Sequence, residues 1–520
     1  MKEHKIGLIS ACFIGISSII GSGWLFAAYA TAAVAGPAAI FAWIIGGGII
    51  LFLALCFSEI ASLYPRRGLS AVVATLSHHK YFGFPFAIAN WLGIVAVIAL
   101  EADATVEYFI NLFPHLKPFL FHNESLTIMG NSFSLLLVIL YCLVNYWGIK
   151  VMAKANNVLA IFKIIIPIVT AVVIITVAFH SGNFTAVNHS FVPYGYGSVF
   201  TAIITTGIII SFNGFQSIVS FASELKNPHR NIPISLVVSL VFCIALYLLL
   251  QIAYIGAMPK DEIVKGWRGI VMSAPMVQLA ASLGLGFLSS IIYFGAFVAP
   301  LGTAVTFTGT ATRMFTAMSK SEQMPKYFSE INPKVGLSRK SLVLNAVIAM
   351  MFLLFFKSWD DLAIVLSLFH VISYIPVPLA LVVFRRNIAR DQYKFRLTGG
   401  HCISLILFII FNFLIMYGKV EVFFELLIIF IFFQLIYISC SARTLVGLKR
   451  AVSESLPVFV YIAVLCFLSF LAPANQKILT GPLFISVGIV FSIISFYTLI
   501  RFEKHASVSE AVVEAFVDGH

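Results

Sequence analysis

Charged residues inside long apolar stretches are the first candidates for chemistry in this sequence. Lys163 lies in the apolar run 157–180, and Glu101 lies near the middle of the run 84–112. An ionisable side chain in apolar surroundings is costly and usually has a partner or a task. Lys163 could load and release a proton, or stay charged in the place of a bound cation. Glu101 could bind an ammonium group, take a proton or pair with a buried cation.

Both residues also have a plain structural interpretation. Lys163 could extend its long side chain back to the membrane surface, and Glu101 could hydrogen-bond to a neighbouring helix. Lys163 lies eight residues beyond Ala155, which is about 12 Å of helix and long for such a reach. We therefore favour proton coupling through Lys163 and Glu101. Thr303 and Thr306 share a helix face and could join Lys163, although threonines on helices often bond to their own backbone.

Two apolar runs contain interruptions at which a helix would open, one in the run 7–34 and one in the run 198–224. Each glycine weakens a helix by about 1 kcal/mol relative to alanine, and an asparagine inside a membrane needs a partner or a cavity. Together with Glu101, the candidate binding residues are those of the interruptions: Ile20, Gly21, Ser22, Gly23, Ser211, Phe212, Asn213 and Gly214.

The positions of the two interruptions indicate a substrate class. They fall in the first and sixth apolar runs, the matching members of two groups of five, and paired interruptions of this kind mark transporter binding sites. An opened helix offers N–H groups to a carboxylate and C=O groups to a cation. An α-amino acid carries one group of each kind. The alternative is that Gly21 and Gly23 only form a small-residue packing face.

The elements that position these residues are membrane helices. Hydrophobic residues make up 60% of the 520 and charged residues only 10%, against about 25% charged in soluble domains. Apolar runs long enough to cross a bilayer recur along the chain. We predict an all-α membrane protein with about fourteen spans, at 7–34, 38–63, 84–112, 132–148, 157–180, 198–224, 232–257, 284–312, 341–356, 361–384, 402–418, 422–441, 456–472 and 481–501.

The net charge is +12, and the lysines and arginines are distributed unequally between the two predicted sides of the membrane. With the amino terminus in the cytoplasm, 25 of the 33 lysines and arginines fall on the cytoplasmic side, 7 fall outside and Lys163 lies within a span. Cytoplasmic loops carry this excess, so both termini are predicted to be cytoplasmic and nucleic-acid binding is not expected. The seven cysteines form no metal-like spacing, and no catalytic motif is evident. We expect no metal, no cofactor and no enzymatic activity.

Acidic residues at the predicted cytoplasmic ends of two spans indicate a gate. Glu59 and Glu224 end the second and sixth runs, with Arg66, Arg67 and Arg230 near them in sequence. We interpret them as ion pairs that close the inner side or anchor loops. His370 in the tenth run is interpreted as a packed polar residue.

Several motifs resemble the amino acid–polyamine–organocation (APC) transporter superfamily. They are IIGSGWLF at 19–26, SEIASLYPR at 58–66, FNGF at 212–215, ELKNPHRNIP at 224–233 and the loop 313–326, within about the first 400 residues. The resemblance implies a LeuT-type fold with discontinuous helices 1 and 6. Its inverted five-helix repeats would cover 1–180 and 198–384, followed by four additional helices at 402–501 and a cytoplasmic tail at 502–520.

The resemblance also implies secondary active transport by alternating access, with proton-coupled symport as the leading mode. Lys163 falls where many proton-coupled members place a lysine. Within the superfamily the sequence is most similar to bacterial aspartate–proton symporters, which implies an acidic amino acid substrate and a bacterial plasma membrane. Exchange of an amino acid against an amine, and a transporter-like nutrient sensor, stay open as alternatives, and so does a homodimer.

One departure from the family pattern concerns the gate. Family members often place an aromatic gate residue two positions before Phe212, where this sequence has Ile210. The gating role could pass to Phe212 or Phe215, or the site could be wider. We assign the gate to Ile210 and Phe215, with Glu59 and Glu224 on the inner side. The expected partners are an amino acid, a proton and the lipid bilayer.

Overall fold

The computed structural model describes residues 5–503, apart from 123–124, 148, 357–358, 443 and 474–480. The side chains of 149–155 and 359–361 are also outside the described part. From residue 504 onward, the predicted tail lies outside the described residues.

The first 180 residues form helices that follow the apolar runs. A pair of two-residue antiparallel strands, Phe121–His122 and Ser125–Leu126, lies in one connection. The helices are α1 (Leu8–Ile19), α2 (Gly23–Ala35), α3 (Ala39–Leu63), α4 (Leu69–Ser77), α5 (Lys80–Leu112), α6 (Lys117–Leu120), α7 (Ile128–Tyr146) and α8 (Ile149–Ala178).

The middle of the chain also forms long helices, joined by several short helical segments. Its helices are α9 (Gly197–Thr205), α10 (Ile208–Ser211), α11 (Gln216–Ser220), α12 (Pro228–Ala257), α13 (Lys260–Ile263), α14 (Pro275–Ser282), α15 (Gly286–Lys320), α16 (Arg339–Phe355), α17 (Trp359–Tyr374) and α18 (Pro376–Asn387).

Four further helices follow: α19 (Gly400–Met416), α20 (Val420–Ser441), α21 (Leu445–Leu471) and α22 (Gly481–Ile500). Within the described residues, ten helical stretches are long and apolar enough to cross a membrane, and α1 and α19 are shorter apolar helices. The prediction of an all-α integral membrane protein is confirmed.

Polar caps start several of these helices. Thr127, Ser338 and Thr444 precede α7, α16 and α21, and each side-chain oxygen accepts a hydrogen bond from a backbone N–H in the first turn. The first N–H groups of a helix have no partner inside the helix, so such a cap satisfies one of them. These threonine and serine positions therefore fix where the apolar helices begin.

The centre of the protein is built on α5 and α15, which pack against each other. The most apolar part of α5 is buried along its whole length, so this helix faces protein rather than lipid. Helix α8 packs against α15. Glu101 on α5, Lys163 on α8 and Thr303 on α15 consequently all point into the interior, where they are almost fully buried.

The bounds of two helices differ from the sequence prediction. Helix α8 begins at Ile149, eight residues before the predicted run 157–180. Arg313 was expected to open a loop, but α15 continues to Lys320 and Arg313 is buried. Both helices extend beyond their apolar runs into polar flanking residues. A prediction from hydropathy alone leaves those residues out of the helix.

Candidate functional site

The first break, residues 20–22, separates α1 from α2. Ile20 leaves the helical conformation with a ψ of 92°, and Ser22 is the N-cap residue of α2. Carbonyl groups at the end of α1 and N–H groups at the start of α2 consequently lack helical partners. The two ends carry partial charges of opposite sign. The break therefore offers one place for a cation and another for an anion.

Glu101 holds the N–H end of the first break. The backbone N–H of Ser22 donates to both oxygens of the Glu101 carboxylate, at 2.9 Å and 3.2 Å. A Cβ atom on Gly21 would lie 2.0 Å from Oε1 of Glu101, a distance that no side chain allows. Glycine at position 21 is thus required for this contact.

Lys163 holds the carbonyl end of the same break. Its ammonium donates to the Ser17 carbonyl, and to Oγ1 of Thr303 at 2.6 Å. The Thr303 hydroxyl in turn donates to the Ile20 carbonyl at 3.0 Å. Gly302 makes room for the lysine, because a Cβ there would lie 3.0 Å from its Cδ. Lys163 thus lies at the C-terminal end of α1, where the helix dipole favours a cation.

Thr306 is placed differently from the expected contact with Lys163. Its hydroxyl lies 3.0 Å from Oδ1 of Asn156 and 2.9 Å from the carbonyl of Gly302. The Ser17 hydroxyl donates to the same Asn156 oxygen at 2.7 Å. The Asn156 amide oxygen on α8 thereby links Ser17 on α1 to Thr306 on α15. Asn156 lies seven residues before Lys163 on the same helix.

The second break, residues 212–215, separates α10 from α11 and contains Asn213. Nδ2 of Asn213 lies 2.7 Å from Nε2 of His370 on α17, and Oδ1 accepts from the N–H of Gly214 at 2.9 Å. The sixth run is also interrupted between α9 and α10, where Gly207 has a φ of +81°. The sequence interpretation did not single out Gly207.

The two breaks lie against each other. The hydroxyl of Tyr247 on α12 lies 3.1 Å from the Ile19 carbonyl and 2.9 Å from the Ser211 carbonyl, one carbonyl from each interrupted helix. Gly214 has a φ of +115°, and a Cβ there would lie 2.4 Å from the Ser18 carbonyl oxygen. Only a glycine therefore permits this approach of the two backbones.

Two predicted site residues point away from the breaks. The ring of Phe212 packs on Trp43 and Tyr247, with centroid distances of 5.7 Å and 5.3 Å. Phe215 packs on Phe57 at 5.8 Å. Both side chains are fully buried in the scaffold, so neither contributes its ring to the space between the breaks.

A small cavity of about 20 Å³ lies between the two breaks. Of the predicted binding residues, Ile20, Phe212 and Gly214 are not in its wall. The predicted residues that do line the cavity are Gly21, Ser22, Gly23, Glu101, Ile210, Ser211, Asn213 and Thr303. Val97, Leu100 and Phe307 supply apolar wall that the sequence interpretation missed.

A larger cavity of about 240 Å³ lies next to the first. Gly207 and Ile210 border both cavities, so Ile210 stands between them. The larger cavity is walled mainly by aliphatic side chains of α9, α10, α17 and α19, with Lys419 at its edge. Ile210 thus lies in the walls of both cavities, and its gate role stays a prediction.

Ion pairs join helices on the side of the bundle where the amino terminus lies. Glu224 accepts from Arg67 and from Arg313, each at 3.0 Å, and we call these three residues the charge cluster. Glu59, which is fully buried, pairs with Arg385 at 2.6 Å. The charge cluster thereby joins the loop after α3 to α15, and the second pair joins α3 to α18.

The predicted partners of these acidic residues need correction. Of the three arginines near in sequence, only Arg67 pairs with Glu224, and within the described residues Arg66 and Arg230 form no ion pair with Glu59 or Glu224. The amino-terminal segment also joins this region. Ile6 pairs with Leu225 as a parallel bridge, through bonds of 2.8 Å to the Glu224 carbonyl and from the Lys226 N–H.

Comparison with known proteins identifies the family. The sequence profile described as "amino acid permease" matches residues 6–494. The chain belongs to the amino acid permease family of the APC superfamily. The resemblance inferred from motifs in the first 400 residues is thus confirmed, and the match extends through most of the four C-terminal helices of this permease.

Two relatives from Bacillus subtilis (strain 168) are particularly similar. The glutamate/serine transporter AimA is 39% identical over 411 residues, which cover 78% of this chain and 76% of AimA. The aspartate-proton symporter is 32% identical over 415 residues, 79% of each chain. A branched-chain amino acid permease, BcaP, of the same organism is 25% identical over 436 residues, 79% of this chain and 88% of BcaP.

Several residues that bond at the breaks or in the ion pairs of this permease escaped the sequence interpretation. They are Ser17, Asn156, Tyr247, Arg385 and, as a bonded partner of Asn213, His370. For Ser17, Tyr247 and His370 the available signal was a polar side chain inside an apolar run, whereas Asn156 and Arg385 lie just outside their runs. The signal marks a residue as buried and paired, but it does not name the partner.

Proposed function

We propose that this permease is a secondary active transporter that moves amino acids across the membrane by alternating access, in symport with protons. One observation carries the proposal. Both ends of the first break are held by ionisable side chains, Glu101 at the N–H end and Lys163 at the carbonyl end. The site thus combines places for the two charges of an amino acid with two groups that can exchange a proton.

The chemistry of the break fits a zwitterion. The N–H groups at the start of α2 suit a carboxylate, and unwound carbonyl groups suit an ammonium or a metal cation. The second break adds the polar side chains of Ser211 and Asn213 to the same cavity. Substrate would bind between the two breaks, with apolar wall from Val97, Leu100 and Phe307 around its side chain.

Proton coupling follows from the contacts of Lys163. A proton drives transport only if it binds the alternating states with different affinity. Lys163 bonds to the Ser17 carbonyl on α1 and to Thr303 on α15. If α1 moves away from α8 and α15 as the inner side opens, the lysine loses a partner, and its affinity for a proton changes with the state of the transporter.

An acidic amino acid is the substrate class that we propose. Support comes from the two relatives at 39% and 32% identity, whose names include glutamate and aspartate. Family members often have an aromatic residue at the position of Ile210. The smaller isoleucine side chain therefore makes a smaller partition between the two cavities. We assign the outer gate to Ile210 and the inner gate to the charge cluster with the Glu59–Arg385 pair. Phe215 is not assigned a gate, because its ring packs in the scaffold.

We further propose a LeuT-type arrangement with inverted repeats at 1–180 and 198–384 and fourteen spans in total. Helix packing supports it. In such a fold α5 and α15 are equivalent, as are α3 and α12, and each pair packs together. The symmetry that relates the two repeats would also map the contact between α15 and α8 onto a contact between α5 and α17. The structure contains both contacts. Helices α19–α22 would be additional spans.

The setting that we propose is a bacterial plasma membrane, with both termini in the cytoplasm. The Bacillus relatives support the first point, and the distribution of lysine and arginine supports the second. Many large apolar side chains on α20–α22 are exposed, which suits contact with lipid or with a second copy. A homodimer stays a prediction.

Uptake into proteoliposomes tests the proposal. The purified protein is reconstituted, a proton gradient is imposed, and uptake of labelled aspartate, glutamate, serine, leucine and lysine is compared. We expect gradient-driven accumulation of the acidic amino acids and loss of that accumulation in Lys163→Ala. Lys265→Ala is the matched control, because Lys265 is exposed and its ammonium pairs with Glu262, three residues before it; it should transport like the wild type.

The other outcomes separate the alternatives. Uptake that ignores the gradient but requires amino acid or amine inside the vesicles would replace symport by exchange and remove Lys163 from coupling. Binding of an amino acid without uptake under either condition would favour a sensor. If the wild type neither binds nor takes up any amino acid, the proposal is wrong.

A further inference from the structure

We propose that Glu101 is a resident competitor of the substrate: its carboxylate occupies the backbone N–H group that the α-carboxylate of an amino acid requires. Substrate could then bind only when Glu101 leaves. This inference rests on the proposed function, since it concerns how the same site admits its amino acid.

The bonds of Glu101 are those that a bound α-carboxylate would make. The Ser22 N–H at the N-cap of α2 donates to both carboxylate oxygens, at 2.9 Å and 3.2 Å. Helix α2 is 13 residues long, and its positive end faces the carboxylate. Glu101 is 4% exposed. An internal anion therefore already satisfies the part of the site that attracts anions.

The sequence makes room for this contact. A Cβ on Gly21 would lie 2.0 Å from Oε1 of Glu101 and 3.3 Å from Oγ1 of Thr303. Both side chains consequently lie over the bare backbone of position 21. A ligand that approaches the same backbone meets the Glu101 carboxylate there.

The remaining space excludes joint occupancy. The cavity between the breaks measures about 20 Å³, and one water molecule needs about 10–15 Å³ on this measure. An amino acid has no place while Glu101 stays on Ser22. Rotation of the Glu101 side chain away from Ser22 frees both the space and the hydrogen-bond donor.

The Glu101 carboxylate, once displaced from Ser22, can move toward the ammonium of Lys163. Thr303 lies beside Gly21, and the Lys163 ammonium bonds to the Thr303 hydroxyl at 2.6 Å. A Glu101 that leaves Ser22 toward Thr303 approaches this ammonium. Arrival of a substrate carboxylate thus moves one negative charge from the N–H end of the break toward its lysine end.

The sign of one affinity change separates this role from the obvious alternative. If Glu101 binds the substrate ammonium, then Glu101→Gln weakens binding. If Glu101 competes with the substrate carboxylate, then Glu101→Gln tightens binding, because a neutral amide is a poorer acceptor than a carboxylate. A hydrogen bond to a charged group is strong enough that the dissociation constant should fall by about tenfold.

The test is equilibrium binding of labelled aspartate, glutamate and serine to purified protein in nanodiscs. We expect tighter binding to Glu101→Gln and unchanged binding to Glu107→Gln, the matched control on the outer part of the same helix. Glu101→Asp keeps the charge but is one methylene shorter, so it should also bind more tightly. If size-exclusion chromatography shows that Glu101→Gln does not fold, Glu101→Asp still tests the inference.

A second ligand tests whether Glu101 competes with the α-carboxylate of the substrate. The α-amide of the best amino acid lacks the α-carboxylate but still needs the space that Glu101 fills, so its affinity should change less between wild type and Glu101→Gln than that of the amino acid. Equal or weaker binding of the amino acid to both Glu101 variants would overturn the inference, even if wild-type transport follows the proton gradient. Absence of binding and of uptake in the wild type would instead refute the proposed function.

Discussion

The side-chain amide of Asn213 donates a hydrogen bond to Nε2 of His370, and the two nitrogen atoms are 2.7 Å apart. Nδ1 of His370 faces the Leu366 carbonyl at 2.8 Å. Because a carbonyl can only accept, Nδ1 carries the hydrogen and Nε2 is the acceptor. A neutral histidine on α17 therefore holds the unwound backbone of the second break.

Replacing His370 with leucine should expose the importance of this bond. In His370→Leu the amide of Asn213 stays buried without an acceptor, which costs about 1–3 kcal/mol. We expect a lower unfolding temperature in detergent and slower uptake, with partial recovery in His370→Gln, whose side-chain oxygen can accept. His401→Leu, at an exposed histidine, is the control. Equal behaviour of the two leucine variants would contradict the prediction.

Thr303 and Thr306 provide a matched pair of substitutions on α15. Only Thr303 contacts Lys163, at 2.6 Å, whereas Thr306 bonds to Asn156 and to its own helix. Thr303→Val should therefore reduce gradient-driven accumulation several-fold, while Thr306→Val retains most of it. The ratio of uptake with and without a proton gradient is the measurement. A larger loss of this ratio in Thr306→Val would refute the assignment.

Tyr247→Phe removes one hydroxyl that faces a carbonyl of each interrupted helix, Ile19 and Ser211. Loss of this shared bond should destabilise the closed arrangement of the breaks by about 1–3 kcal/mol. We expect a lower unfolding temperature and a changed apparent affinity for substrate. Tyr254→Phe on the same helix is the control, because its hydroxyl has only a weak sulfur contact, at 3.6 Å to Met272. The prediction fails if both variants shift equally.

Arg385→Gln leaves Glu59 as a fully buried carboxylate without its arginine. Removing one partner of a buried ion pair costs about 3–5 kcal/mol, so we expect a large loss of folded protein and of uptake. Arg386→Gln, at the exposed next residue, should have little effect. The double variant Glu59→Gln/Arg385→Gln should recover stability, since no charge stays unpaired. A double variant as unstable as Arg385→Gln would argue against the pair.

The sequence predicted the helices because apolar runs of about 20 residues have few other stable forms in a membrane. The first break was also predictable, since Gly21 and Gly23 weaken a helix locally. The start of α8 at Ile149 was not, because polar residues can extend a helix beyond the apolar core. The length of α8 was therefore underestimated.

Contacts between distant segments could not be obtained in this way. Glu59 and Arg385 are separated by 326 residues, and no local pattern links them. The direction of Phe212 was also misjudged: an unwound segment has no helical periodicity from which to infer which side chains face a cavity. Its ring fills a space between Trp43 and Tyr247 that exists only in the folded protein.

The pairing of Ile6 with Leu225 gives the amino terminus of this permease a mechanical role. Its two backbone bonds tie the segment that precedes α1 to the stretch that carries Glu224. A displacement of Ile6 is consequently transmitted to the stretch that carries Glu224. A fluorophore attached at Lys5, beside this pairing, should report any movement of that stretch in single molecules.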